Sequence, residues 1–269
     1  MSKTASVILA AGRGSRMKGF HGNKTLLPLM AADSPFEGDS PILLEILDNL
    51  PTGPKAVVVN HRKEDIIKAT RNLGLAYFEQ PVLNGTGGGL LAARAFLENQ
   101  NYSSLVITMG DVPFVKKDTY VKLIHGLRDM SLIVLGFRPG SKKQYGVFDI
   151  EGPHIRRIVE WKYWKDYPEK EQKRLAICNS GIYAAKRRDL LPYLSVLASR
   201  PQKIKKEIDG EQKEIEEFFL TDLVEFMHKD GLPVGYILAE DAEEVMGIDD
   251  LDALLKAQTL FKKTMPPPI

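Results

Sequence analysis

Short apolar runs rich in β-branched residues recur along the first half of the chain, and segments with helical spacing separate them. The runs predict strands at 6–9, 56–59, 75–78, 105–109 and 132–137. Apolar positions at helical spacing predict helices over 42–50, 64–73, 88–97 and 117–127. We place Pro41 at the first helical position behind an N-cap Ser40, and Gly74 at a helix C-terminus. This alternation indicates an α/β fold, with a parallel sheet covered by helices on both faces.

The second half of the chain is less regular. It predicts strands at 145–150, 155–159, 177–184 and 234–238, and helices at 222–228 and 251–261. Two charged stretches, 162–174 and 202–217, are interpreted as surface excursions.

Composition narrows the class of protein. The chain has 43% hydrophobic and 27% charged residues, which is typical of a soluble globular protein. A net charge of +2 is too small to indicate a nucleic-acid partner, and no apolar stretch is long enough for a membrane span. The single cysteine, Cys178, excludes an internal disulfide, favours a reducing cytoplasm, and lies in an apolar strand that favours a packed thiol.

The segment LAAGRGSRM after the first strand is the first candidate site. Its Gly12 and Gly14 follow the carboxyl end of a strand, where open parallel sheets bind ligands. The dinucleotide fingerprint fails because Met17 replaces the third glycine, and a P-loop fails because Asn23 separates glycine from lysine. The basic residues here are Arg13, Arg16, Lys18 and Lys24. They suit phosphate, although the loop alone is equally compatible with a solvated turn.

Other strand ends carry chemistry as well. Asp111 follows a buried strand, where a carboxylate suits Mg²⁺ or fills a turn or cap role. Gln80 offers an amide for a pyrimidine edge, just before Gly85 and Thr86 open a helix. Asp249 follows a late strand and is either a second metal ligand or the N-cap of the last helix.

Nine short strings occur in the order found in one family. They are LAAGRGSRM, Lys24 ahead of LLP, Gln80 with Gly85 and Thr86, GDVP, Tyr145-Gly146, VEWK, NSGIY, FFLTDL and EVMGID. Through them the chain resembles the sugar-nucleotide pyrophosphorylases, and is most similar to the uridylyltransferase half of bacterial N-acetylglucosamine-1-phosphate uridylyltransferases. The resemblance implies one Rossmann-like nucleotidyltransferase domain over 1–262 with a mixed, mainly parallel central sheet. Residues 1–137 would be its nucleotide-binding half and 138–262 its sugar-binding half, with a flexible tail at 263–269.

The resemblance also implies residue roles. The nucleotide would be wrapped by Leu9, Ala10, Ala11, Gly12 and Gly14, and its base read by Gln80, Gly85 and Thr86. The catalytic groups would be Arg16, Lys24 and Asp111. Mg²⁺ would be held by Asp111 and Asp249, and the sugar by Gly146, Glu160 and Asn179.

Several of these residues have a simpler structural interpretation. Glu160 would otherwise be a solvated residue paired with Lys162, and Asn179 would bond a neighbouring loop. Thr221 is expected to be the N-cap of the helix that follows it.

The chain also departs from the family pattern at three places. Asp249 stands where asparagine is usual, Tyr163 where an acidic residue is usual, and GTGGG replaces a glycine-histidine-alanine pattern.

The resulting hypothesis is an Mg²⁺-dependent enzyme that makes a UDP-sugar and pyrophosphate from UTP and N-acetylglucosamine 1-phosphate. Positioning and charge neutralisation suffice for such a transfer, and no protein nucleophile is required. The alternatives are another sugar, dTTP as donor, or a non-catalytic nucleotide-sugar-binding regulator. We expect small-molecule partners only, a cytoplasmic monomer or small homo-oligomer, and no acetyltransferase activity, because no β-helix follows within the 269 residues.

Overall fold

The computed structural model describes residues 3–208 and 211–264, and a nine-stranded sheet forms the centre of this part of the chain. The strands β1–β13 are Thr4–Leu9, Pro28–Ala31, Gly38–Pro41, Lys55–Val59, Ala76–Glu79, Ser104–Met109, Leu132–Phe137, Val147–Glu151, His154–Val159, Cys178–Lys186, Gln202–Ile208, Glu211–Glu217 and Val234–Leu238. The helices α1–α10 are Ile42–Asn49, Lys63–Thr70, Gly85–Ala92, Arg94–Asn99, Lys117–Gly126, Trp161–Trp164, Glu169–Arg174, Arg187–Ser199, Asp222–Lys229 and Leu251–Thr264.

The central sheet has the strand order β13-β7-β10-β6-β1-β4-β5, and β8 and β9 extend it from β10. Neighbours pair in parallel along β6-β1-β4-β5 and between β7 and β13. The antiparallel pairs are those of β10 with β6, β7 and β8, and that of β8 with β9. The prediction of a mixed, mainly parallel sheet is therefore confirmed. Two hairpins, β2–β3 and β11–β12, form separate two-stranded sheets.

The central sheet is buried on both faces, and this explains why apolar and polar residues do not alternate along its strands. In β1, Ile8 packs into the core on one face, whereas Ala5 and Val7 pack into the core on the other. Helices α1, α5 and α10 cover the first face, and α3, α4, α8 and α9 cover the second. Each fully buried aliphatic side chain stabilises the fold by about 1.5–3 kcal/mol, so these two layers of contacts supply much of its stability.

Two predicted helix boundaries are wrong. Pro41 is the N-cap of α1 rather than its first residue, because it still pairs with Pro28 in the β2–β3 hairpin. Helix α2 ends at Thr70 and is followed by a turn that Leu73 N closes on Thr70 O. Gly74, with φ +63°, comes after this turn and not at the helix C-terminus.

The predicted helix 88–97 is two helices, since α3 begins earlier, at Gly85, and Ala93 interrupts the run with φ −85° and ψ 9°. The charged stretches hold α6, α7 and the β11–β12 hairpin, and α8 was not predicted at all.

The C-terminal end of the chain also differs from its prediction. Helix α10 continues through Thr264, so the tail predicted from 263 does not begin there. Residues 265–269 of that predicted tail lie outside the described residues. Within residues 3–208 and 211–264, no helix has the length and apolarity needed to cross a membrane.

Candidate functional site

Four neighbouring parallel strands, β1, β4, β5 and β6, end at the same edge of the sheet. Backbone bonds continue past the strand ends, from Ala10 N to Val58 O, Gln80 N to Val59 O and Gly110 N to Leu9 O, each at 2.9 Å. A cleft of about 490 Å³ opens beyond this edge, as the parallel topology requires. Its predicted lining residues are Leu9, Ala10, Ala11, Gly12, Arg16, Lys24, Gln80, Gly85, Thr86 and Asp111.

The glycine loop and the turn that follows it present Lys24 to the cleft. Lys24 begins a short 3₁₀ turn whose N-cap, the buried Asn23, accepts hydrogen bonds from Thr25 N at 3.0 Å and Thr25 Oγ1 at 2.8 Å. Gly14 has φ +64°, and a Cβ there would lie 3.0 Å from Lys24 Cβ. Gly14 therefore packs against the Lys24 side chain, and its contact with the nucleotide stays a prediction.

The Lys24 ammonium lies between two carboxylates. Its Nζ is 2.5 Å from Asp111 Oδ2 and 3.1 Å from Asp249 Oδ1, and the lysine side chain is only 9% exposed. Burial alone would lower the pKa of Lys24, but the charges and hydrogen bonds of the two aspartates outweigh it and hold the pKa above its usual value. Arg16 Nη1 lies 3.5 Å from Asp249 Oδ2 with its side chain 72% exposed, so this ion pair is solvated and weak.

Asp249 reaches the site by a route that the sequence did not predict. A 3₁₀ turn, Ala242–Val245, precedes it instead of a strand, and Ile248 N bonds Asp111 O at 2.9 Å. The N-cap of α10 is the neighbouring Asp250, whose Oδ1 accepts from Ala253 N at 2.9 Å. Asp249 is consequently not needed as a cap and remains available to the cleft.

The two aspartates suit a divalent cation by their chemistry. Both converge on one Nζ, so both can converge on one cation, and Mg²⁺ is commonly bound by one or two carboxylates together with waters and phosphates. Among the described residues, no group of three or more His, Cys, Asp and Glu side chains could form an all-protein metal site.

The far end of the cleft is built around Gln80. Its Nε2 donates to Gly85 O at 2.9 Å and Asn84 Oδ1 at 3.0 Å. These bonds fix the orientation of the buried amide. The amide nitrogen is thus engaged within the protein, which leaves the carbonyl oxygen as the group for a ligand.

The GTGGG segment allows close packing at this end. A Cβ on Gly87 would lie 2.8 Å from the Phe218 backbone, and one on Gly88 would lie 1.9 Å from Asn84 Oδ1. Gly87 N also donates to Phe218 O at 2.8 Å. Helix α3 therefore needs small residues where it meets the chain after β12.

The three predicted sugar-binding residues lie together. Asn179 N donates to Gly146 O at 2.8 Å, and a Cβ on Gly146 would lie 3.4 Å from Glu160 Oε2. We call Gly146, Glu160 and Asn179 the acceptor cluster. The Asn179 side chain bonds Gly181 N and Tyr183 Oη, each at 3.0 Å, so the alternative of local loop bonding is also observed.

Glu160 is not the solvated residue of the alternative interpretation. It is half-buried, and its Oε1 accepts from Thr221 Oγ1 at 2.8 Å. Burial raises the pKa of Glu160 against the opposing effect of this bond and of the Lys162 charge. Thr221 stands at the N-cap of α9 but makes no capping bond with its side chain, because its hydroxyl is used by Glu160.

Sequence reasoning missed part of the cleft wall. The additional lining residues are Thr25, Leu83, Gly89, Met109, Gly110 and Glu217. Glu217 is the clearest error, because we assigned it to a charged surface excursion and it is 7% exposed. Glu217 is the last residue of β12, and the β11–β12 hairpin was not predicted, so its place in the cleft wall was not predicted either. Cys178 is fully buried, as predicted, and burial raises the pKa of its thiol to about 11.

Comparisons with known proteins place the chain in a family. The model of the MobA-like NTP transferase domain matches residues 6–176. The chain is 30% identical over 269 residues to the bifunctional protein GlmU of Caldicellulosiruptor saccharolyticus, and 30% identical over 264 residues to that of Novosphingobium aromaticivorans. These matches cover 97% and 96% of this chain but 52% of each relative, so the chain spans about half the length of these curated relatives.

Solved structures show the same fold at low identity. A uridine diphosphate N-acetylglucosamine pyrophosphorylase from Trypanosoma brucei superposes with a TM-score of 0.72 at 12% identity, over 95% of this chain and 65% of that one. A protein named as a glucose-1-phosphate thymidylyltransferase from Bacillus anthracis superposes with a TM-score of 0.68 at 18% identity, over 98% of each chain. These likenesses support the α/β nucleotidyltransferase fold.

Proposed function

The chain belongs to the family of MobA-like NTP transferase domains, and from this premise we propose that it transfers a uridylyl group from UTP to a sugar 1-phosphate, releasing pyrophosphate. N-acetylglucosamine 1-phosphate is the acceptor that we expect. The observation that carries the proposal is the contact of Lys24 with both Asp111 and Asp249. Lys24 and Asp111 stand in the wall of a cleft that is also lined by the glycine loop and Gln80.

The chemistry is an in-line attack of a sugar phosphate oxygen on the α-phosphorus. The bond from oxygen to phosphorus forms as the bond to pyrophosphate breaks. The protein supplies position and compensating charge rather than a nucleophile. Lys24 is fixed by its buried turn and carries a stable positive charge, so it would stabilise negative charge that develops on the phosphates. Arg16, whose side chain is largely exposed at the edge of the cleft, would contact the phosphates after the nucleotide binds.

A divalent metal ion, which we expect to be Mg²⁺, would be held by Asp111 and Asp249. When bound, it would neutralise phosphate charge and favour departure of pyrophosphate. Lys24 already bonds both carboxylates, so lysine and metal would share the same two partners. The site therefore supports a cation-rich environment for a triphosphate.

Base selection would depend on Gln80 and the start of α3. The free Gln80 carbonyl can accept from the N3–H of uracil or thymine, whereas cytosine presents an acceptor there. The first N–H groups of α3, at Gly85 and Thr86, lack partners within the helix and can donate to a base carbonyl. This pattern favours UTP or dTTP over CTP, and dTTP stays the competing donor.

Sugar selection would depend on the acceptor cluster. The Glu160 carboxylate can accept from hydroxyls, and Asn179 retains one amide hydrogen and acceptor capacity for a hydroxyl or acetamide. Gly146 leaves room beside Glu160 for a ring substituent.

The test is pyrophosphate release measured over UTP, dTTP, CTP, ATP and GTP, each combined with N-acetylglucosamine, N-acetylgalactosamine, glucosamine and glucose 1-phosphates. We expect UTP with an N-acetylhexosamine 1-phosphate to give the highest kcat/KM. A preference for ATP or GTP would contradict the base pocket. Tight binding of UDP-sugars without any turnover would favour the regulator instead.

A further inference from the structure

A second cavity, of about 470 Å³, lies beside the acceptor cluster. Its walls come from the end of β9, from α6 and the residues after it, and from the starts of β11 and α9. The groups that matter for its chemistry are Glu160, Lys162, Tyr163, Gln202 and Asp222. We call it the side cavity.

Glu160 connects the side cavity to the acceptor cluster. It lines the cavity, while its Oε2 lies close to Gly146. A sugar ring held at Gly146 and Glu160 would therefore have the side cavity within reach of its substituents.

Acceptor oxygens and negative charge dominate the inner part of the side cavity. Glu160 and Asp222 are bonded by neutral donors, the Thr221 hydroxyl and the Gln202 amide, the latter at 2.9 and 3.0 Å from the two Asp222 oxygens. The cation that acts on both carboxylates is Lys162. Glu160 and Asp222 are both partly buried, and this burial raises the pKa of both carboxyl groups.

Two other cations near the side cavity contact carboxylates other than Glu160 and Asp222, and Arg157 shares its partner Asp149 with Arg156 and Arg174. Arg157 Nε bonds the buried Asp149 Oδ2 at 3.2 Å, and Lys229 Nζ lies 2.6 Å from Glu225 Oε1. Lys162 is itself held over the Tyr163 ring, with Nζ 4.8 Å from the centroid. Its Nζ also lies 3.4 Å from Gln202 Oε1, and its charge acts through space on the two carboxylates. With more carboxylates than this one ammonium can balance, a further anion entering the cavity would be repelled.

We propose that the side cavity receives a hydrogen-bond-donating, non-anionic substituent of the acceptor sugar, a hydroxyl or an ammonium group, and so excludes acceptors with an additional acidic group. The proposal rests on the proposed function and extends it to acceptor selection. Tyr163, which stands where the family usually has an acidic residue, forms part of this wall and is half exposed.

The test compares glucose, glucosamine and glucuronic acid 1-phosphates, which differ in one substituent each. Both kcat/KM and the Kd from calorimetry are measured, so that binding is seen even without turnover. The variants are Asp222→Asn, which removes a carboxylate, and Lys162→Met, which removes the cation. Glu169→Gln is the matched control, since this carboxylate on α7 is 82% exposed and paired with Lys173 outside the cavity.

We expect the wild type to discriminate against glucuronic acid 1-phosphate by roughly thirtyfold or more relative to glucose 1-phosphate. Asp222→Asn should reduce this ratio about three- to tenfold, Lys162→Met should increase it, and Glu169→Gln should leave it unchanged. A selective loss of glucosamine 1-phosphate in Asp222→Asn would identify an ammonium ligand, and a parallel loss of glucose 1-phosphate would identify a hydroxyl.

Two results would overturn the inference. One is a wild type that accepts the uronic acid as well as glucose, and the other is a ratio that neither Asp222→Asn nor Lys162→Met moves. The two variants are expected to change the discrimination ratio in opposite directions. General damage to the fold would not produce such opposite changes, so it can be distinguished from the expected result. Absence of turnover with every nucleotide would instead contradict the proposed function, and the calorimetric ratios would still decide this inference.

Discussion

Replacing Lys24 with methionine removes the central charge of the cleft and keeps an unbranched side chain of similar length. The lysine side chain is 9% exposed, and its Nζ lies 2.5 Å from one carboxylate oxygen and 3.1 Å from another. The variant leaves Asp111 and Asp249 facing each other without their shared cation.

The expected cost has two parts. Breaking a fully buried ion pair costs about 3–5 kcal/mol, but Asp249 is 44% exposed and keeps part of its hydration, so we expect a loss of about 1–3 kcal/mol in unfolding free energy. In catalysis, losing one preorganised cation costs about 10²–10³ in kcat, or ~3–4 kcal/mol of transition-state stabilisation. The rate effect should therefore exceed what lost stability explains.

The assay is steady-state pyrophosphate release with UTP and the preferred sugar 1-phosphate, accompanied by urea unfolding. Lys18→Met is the control, because Lys18 is an exposed lysine on the same loop. We expect Lys18→Met to retain nearly full kcat. Adding Asp111→Asn to Lys24→Met should restore part of the lost stability but none of the activity, because repulsion between the carboxylates falls.

Two outcomes would refute this reasoning. A kcat within about threefold of the wild type would show that Lys24 does not stabilise the transition state. An increased KM with unchanged kcat would assign it to ground-state binding of the nucleotide.

Three further predictions concern other parts of the structure. Asp111→Asn should abolish turnover while the protein stays folded by circular dichroism, and near-normal rates at saturating Mg²⁺ would contradict a metal role. Gly88→Ala should raise the KM for UTP, because its Cβ would displace the Asn84 amide that bonds Gln80, whereas Gly140→Ala, with open space around it, should not. Asp149→Asn should lower the unfolding free energy at pH 7 by about 1–2 kcal/mol. Burial would raise the pKa of Asp149, but the neighbouring arginines hold it below its usual value of 3.8. The ionised carboxylate therefore stabilises the wild type fully above that pH. The difference in unfolding free energy between wild type and variant, measured in urea, should shrink only as the pH falls below 3.8. A difference in unfolding free energy between wild type and variant that does not decrease as the pH falls below 3.8 would contradict the ion-pair explanation.

The sequence by itself determined the sheet strands of the first half and the ends at which they meet. Runs such as 105–109 and 132–137 are apolar on both faces because helices cover both sides of the sheet. Each run lies within a few consecutive residues, so the strand can be predicted from the sequence alone. Parallel pairing then places the residues after β1, β5 and β6 at one edge, so Lys24, Gln80 and Asp111 could be predicted in one cleft.

The tertiary structure decided which of two local roles each polar residue takes. Asp249 and Asp250 are adjacent carboxylates at the start of a helix, and a sequence pattern does not distinguish the cap from the site residue. Thr221 sits at a helix N-cap, yet its hydroxyl bonds Glu160 across 61 positions of sequence. The sequence predicts Glu217 as part of a charged surface stretch, whereas in the structure it ends β12 and lines the cleft. Such choices depend on non-local contacts, because a side chain with several possible partners bonds the one that chain folding brings nearest. Propensity and spacing therefore predicted where the site lies, and only packing determined how its charges are paired.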